Sequence, residues 1–194
     1  MSTKPSYLGL LNAIALAECR AHAYLTAWAD ITPSDDVRKV LRTVAAREGE
    51  HGMSFAKRIN ELGYDVRPKD DPEFEKVNAI ATSEKLTDLE KMEKLKLHKL
   101  DRGDKPDIFD DFFKDHSIDI RTGELLGRYI AEERDTGRLL RACYQQLKAA
   151  AGESPAEASG DAIAALDVKV DALCRAVEEL RQIVCAQSMP QASS

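Results

Sequence analysis

Two runs of apolar residues spaced three and four apart, separated by Thr32-Pro33-Ser34-Asp35, dominate the first third of this chain. A period near 3.6 makes each run the buried face of an α-helix, and Pro33 and Ser34 stop the first helix and cap the second. The spacing predicts helices over about 5–30 and 34–62, the second closed by Gly63, the residue type most at ease in the left-handed conformation that ends helices. A connection this short makes the two helices antiparallel neighbours.

Past a polar loop, Pro72 opens a third predicted helix reaching about Leu100, with Thr82-Ser83 as its weak point. Arg102-Gly103-Asp104-Lys105-Pro106 ends it, a short aromatic segment spans 108–113, and a fourth helix covers about 118–150. No segment alternates as a strand does. The expected fold class is therefore all-α: an antiparallel four-helix bundle over 1–150, then a C-terminal amphipathic helix of coiled-coil type. Small, polar, Pro- and Gly-punctuated residues make 151–160 a flexible linker, and 189–194 a disordered tail. Over 161–188 the heptad puts Ile163, Val170, Val177 and Val184 at a, with Leu166, Leu173 and Leu180 at d. That combination favours a parallel two-stranded coiled coil, hence a homodimer or higher homo-oligomer; the other reading packs this helix back onto the bundle.

Composition narrows the function classes. At 194 residues, 43% hydrophobic and 32% charged, the chain is long enough for one well-filled core and too apolar for wholesale disorder. With 28 Lys and Arg against 34 Asp and Glu, and no basic face, nucleic acid is not an expected partner. Neither a signal-peptide run nor a membrane-length apolar stretch is visible, so no membrane association and a cytoplasmic location are expected. Cys19, Cys143, Cys174 and Cys185 stand singly without CxxC spacing, as reduced thiols do.

Against this pattern, three residues are out of place. Glu18 breaks the stripe Leu11, Ile14, Ala21, Leu25, Trp28, while Glu48 and His51 replace consecutive apolar positions in Val37, Leu41, Val44, Phe55, Ile59, Leu62. A carboxylate in a core is costly unless it is paired or holds a metal. The i, i+3 spacing of Glu48 and His51 sets both on one helix face a turn apart. Glu18 lies 15 residues before Pro33 and Glu48 lies 15 after it, so at ~1.5 Å per residue both stand at one height, about 22 Å from the turn. The competing reading is a structural polar network, with Arg20 or Arg47 neutralising a buried acid, and His22 at the edge of the site or on the surface.

In Ile14-Ala15-Leu16-Ala17-Glu18 and Arg47-Glu48-Gly49-Glu50-His51 the chain resembles the ferritin-like di-iron carboxylate superfamily, in its rubrerythrin and encapsulated-ferritin-like branches. The resemblance covers 7–62 well, 84–147 weakly and the tail not at all. It implies iron (Fe2+/Fe3+), or manganese, as cofactor, dioxygen or peroxide as oxidant, and oxidation of Fe(II). It also implies that Glu48 bridges, Glu18 caps one ion and His51 fixes one metal's orientation. Tyr24, Tyr129 and Trp28 are expected as core packing, with electron carriage as the alternative.

The second half departs from the family pattern. On the fourth helix Glu132 lies in the stripe Leu125, Tyr129, Thr136, Leu139, Cys143, and Asp135 stands where the family has His. Glu133 falls instead with Leu126, Ile130, Gly137 and Leu140, and Glu132 is the preferred candidate of the two. Glu93 interrupts Leu86, Leu89, Leu97 and Leu100 on the third helix. Two arrangements remain open: Glu18, Glu48, His51, Glu93 and Glu132 within one chain, or Glu18, Glu48 and His51 donated by each of two chains across a two-fold axis. The non-catalytic alternative is a ferritin-like scaffold, without its metal, that acts as an oligomeric partner-binding protein.

Overall fold

The computed structural model describes residues 4–100 and 114–152, and every regular element among them is helical. These are α1 (Leu8–Ile31), α2 (Asp35–Glu61), α3 (Pro72–Ala81), α4 (Asp88–Lys94), a 3-10 turn (Leu97–Lys99) and α5 (Ile120–Gly152). Of the segment expected at 151–160, Ala151 and Gly152 continue α5 and the rest lies outside the described residues. So do the aromatic segment 108–113, the helix expected at 161–188, the tail and Cys174 and Cys185. No helix among the described residues is long and apolar enough to cross a membrane.

Local chemistry accounts for most helix ends. Ser34 Oγ accepts from the Val37 amide at 3.3 Å, with Asp35 and Asp36 in the positive first turn of α2. Gly63, at φ +83°, reverses the chain after α2. The single helix expected from Pro72 to Leu100 is instead two, and the break is chemical. Thr82 Oγ1 bonds back to the Asn78 carbonyl at 2.8 Å, and Thr87 and Glu90 form a reciprocal capping box that starts α4 afresh. Lys96, at φ +57°, then ends α4.

Cross-links set the directions of the three long helices. Tyr7 Oη donates to Asp119 at 2.7 Å and Tyr129 Oη to Glu18 at 2.8 Å, so α5 runs parallel to α1. Arg58 reaches Thr122 at 2.9 Å and Arg47 reaches Thr136 at 3.0 Å, so α5 runs antiparallel to α2. Arg58, buried and also chelating Asp119 through Nη2, ties the end of α2 to the start of α5.

Two apolar clusters fill the interior. Leu25, Trp28, Leu41, Val44, Met92 and Leu140 anchor one; Leu11, Ile14, Phe55, Ile59, Leu126 and Ile130 anchor the other. Between them α1 and α2 approach closely at two glycines. A Cβ on Gly52 meets Cys19 Sγ at 2.7 Å and the Cys19 amide nitrogen at 3.2 Å, and one on Gly49 meets the His22 ring at 2.9 Å. Gly52→Ala should therefore destabilise by about 1–2 kcal/mol although alanine is the better helix former, and adding Cys19→Ala should recover part of that. Urea melts of the single and double variants check it; a Gly52→Ala protein more stable than wild type contradicts the close approach.

Candidate metal centre

The layer separating the two apolar clusters is polar. Glu18 on α1, Glu48 and His51 on α2, and Glu133 on α5 each offer a donor atom, and all four atoms lie within 4.8 Å of one another. His51 is wholly inaccessible, Glu18 and Glu48 are buried, and Glu133 is partly covered. His51 Nδ1 is 3.5 Å from both Glu48 Oε2 and Glu133 Oε1. Ligands about 2.1 Å from one ion stand about 3.0–3.4 Å apart at octahedral or tetrahedral angles, so a small inward shift puts these atoms at coordination spacing. Glu48 Oε2, His51 Nδ1 and Glu133 Oε1 are moreover all buried without a hydrogen-bond partner. Each such atom is expensive in a protein interior, and three converging on one point is unusual.

The other imidazole nitrogen is fixed. His51 Nε2 lies 2.6 Å from Glu132 Oε2, a contact that places a proton on Nε2 and turns Nδ1 towards the acids. The Tyr129 ring packs edge-on against His51 at 5.0 Å and against Phe55 at 5.2 Å, which restrains the imidazole further.

Crowding of like charges shows in the proton affinities. Burial raises the Glu18 carboxyl to about 9, helped by a proton shared with Glu48 and by the charges of Glu48 and Glu133. Burial also lifts Glu133, assisted by the Glu48 charge and opposed by His51. For Glu48 burial acts upward, but the His51 imidazole 3.5 Å away and the proton on Glu18 outweigh it and its carboxyl ends low. Burial alone depresses His51, yet Glu133, Glu48 and Glu132 overcome it and raise the imidazole to about 10. Burial and the charges of Glu48, Glu18 and Glu133 raise the Tyr24 phenol, so it feels the same acids; Tyr129 is raised likewise, by burial first and then by Glu18.

Neither arginine that might have neutralised the acids does so. Arg20 pairs with Asp71 at 3.0 Å, and Arg47 with Asp135 at 2.9 Å while donating to Thr136 and to the Glu132 carbonyl. His22 lies on the surface over Gly49, its Nδ1 2.7 Å from the Ala45 carbonyl. Trp28 belongs to the apolar cluster nearer the α1–α2 turn.

Of the residues expected at a site, the fold brings together Glu18, Glu48 and His51, with Glu132 on the outer nitrogen of the imidazole. Glu93 is not with them: it is exposed on α4 and accepts from Tyr144 Oη at 3.1 Å. The stripe that includes it assumes one long helix, and the break before Thr87 changes which face looks inward. The residue passed over is Glu133. Its stripe, Leu126, Ile130, Gly137 and Leu140, is buried throughout, and that continuity was the available signal. The rival stripe through Tyr129, Thr136 and Cys143 is buried too, because α5 packs a broad face against its neighbours.

The chain matches no protein-family model, no curated protein and no solved structure.

Proposed function

We propose that this chain is a metal-binding protein of ferritin-like, four-helix architecture whose Glu18, Glu48, His51 and Glu133 hold iron, or manganese, inside a single chain, and that it oxidises Fe(II). One observation carries this reading: Glu48 Oε2, His51 Nδ1 and Glu133 Oε1 are buried, close together and lack hydrogen-bond partners. Three carboxylates and one imidazole suit a hard or borderline ion such as Fe(II) or Mn(II), and the absence of a thiolate in the set argues against a softer one. Glu132 behind His51 supplies the outer carboxylate that metal-bound imidazoles commonly have. That α5 contributes Glu133 from the same chain favours the one-chain arrangement over the two-chain one. Iron held there would supply electron transfer from Fe(II) to dioxygen or peroxide, and Glu18, Glu48 and Glu133 would balance the added charge of Fe(III). The heptad at 161–188 supports a homodimer or larger oligomer.

A second reading has its own support. A protonated His51 is a cation among acids, 2.6 Å from Glu132, and on that basis the layer is a self-compensating polar network in an oligomeric scaffold. Metal analysis separates the two. Protein expressed with iron should carry near-stoichiometric metal and oxidise Fe(II) in the presence of oxygen, and Glu48→Ala and His51→Ala should lose both. Wild-type protein that purifies without metal, and whose melting midpoint is unmoved by Fe(II) or Mn(II), favours the scaffold.

A further inference from the structure

At the end of the bundle near the α1–α2 turn lies a cavity of about 680 Å³, within the range of small-molecule sites. Its walls are largely apolar, among them Ile31, Leu86, Leu89 and Leu147, and Lys91 also lines it. That lysine is only 2% exposed. Its ammonium stands 5.6 Å from the centre of the Trp28 ring, and no hydrogen bond or ion pair from a described residue reaches it.

The nearest acid, Asp88, also lines the cavity and its charge acts on Lys91, but its oxygens accept from Trp28 Nε1 at 2.7 Å and Thr32 Oγ1 at 2.6 Å and neither is paired with the ammonium. At the rim, exposed Glu84 and Lys85 offset each other. A buried ammonium without a hydrogen-bond acceptor is unfavourable, and a largely apolar pocket with such an ammonium in its wall suits an anion with an apolar body. Burial also pulls the Lys91 ammonium below the usual lysine range against the opposing charge of Asp88, and a bound anion would add to that opposition.

We propose that this cavity is a binding site for a small monocarboxylate with an apolar body, its carboxylate on Lys91 and its chain along Ile31, Leu86, Leu89 and Leu147. The site is separate from the Glu18–Glu48–His51–Glu133 cluster and does not depend on metal there.

Trp28 is the chain's one tryptophan and lies beneath Lys91, so its fluorescence reports on the cavity without a label. Octanoate titrated into the full chain should change that emission saturably, and octanol, of the same length without the charge, should bind about tenfold more weakly or worse. Lys91→Met keeps the apolar stem and should erase the preference for octanoate. Ile31→Glu, at a partly exposed wall position that tolerates charge, should weaken octanoate by a similar factor while leaving octanol nearly unchanged. Equal binding of octanoate and octanol by wild type, unchanged octanoate binding in either variant, or no saturable signal with octanoate overturns the proposal.

Discussion

Glu18→Gln is expected to make the metal-free protein more stable at neutral pH while weakening its metal binding at least about 100-fold. The first half follows from the proton that Glu18 keeps. An unfolded Glu ionises above its ordinary value of 4.5, whereas the folded chain holds this carboxyl protonated up to about 9. A raised carboxyl means the folded state must hold a proton that the unfolded state releases, so stability falls as pH climbs from about 4.5 to about 9. Glutamine is nearly isosteric with the protonated acid: its carbonyl still accepts from Tyr129 Oη and its amide still donates towards Glu48. The gain at pH 7 is about 3 kcal/mol at most and shrinks as neighbours readjust.

His51 acts in the same direction: its contribution is complete below about 6.5 and disappears as pH rises through about 10. Glu48, held low, opposes them with a contribution that disappears as pH falls below the ordinary carboxylate range. The metal-free wild type should thus be most stable in mild acid, and a metal must displace protons from Glu18 and His51 to bind near pH 7. Denaturant melts with chelator at pH 5, 7 and 9, followed by metal titration, test both halves. A Glu18→Gln protein that is less stable than wild type at pH 7, or that still binds metal tightly, contradicts the site.

Asp88→Ala is expected to destabilise by about 3 kcal/mol or more, since it strands two buried donors at about 1–3 kcal/mol each. Trp28 and Thr32, almost inaccessible, both donate to this carboxylate, and the bonds join the α1–α2 turn to the first residue of α4. In a Trp28→Phe background the indole donor is already gone, so the same substitution should cost less there. Far-UV circular dichroism melts read all four proteins, including those without tryptophan. Strictly additive losses, or an Asp88→Ala loss within about 0.5 kcal/mol of wild type, contradict the bridging role.

The hairpin was readable because its determinants are local. Ser34 and Gly63 act on backbone groups within a few residues, and the stripes of α1 and α2 carry their helical period on the page. The break between α3 and α4 was legible only as a weakness at Thr82-Ser83, since the Thr87–Glu90 box wins by local bonds that an apolar stripe does not register. The burial of Arg58 is not legible locally: its near partner Glu61 makes only an ordinary i, i+3 pair, while Asp119 and Thr122, which hold it inside, are more than 60 residues away in sequence.

The sequence by itself determined the helical class, the antiparallel pairing of α1 and α2, and the shared height of Glu18, Glu48 and His51. Each follows from a fixed rise and a fixed period acting on residues near one another in the chain. Tertiary structure decided which α5 carboxylate completes the cluster, that Glu93 stands apart, and that Lys91 faces a cavity. Those outcomes depend on the rotation and depth at which one helix packs on others, and that rotation is settled by contacts spread across the whole core rather than by any local repeat.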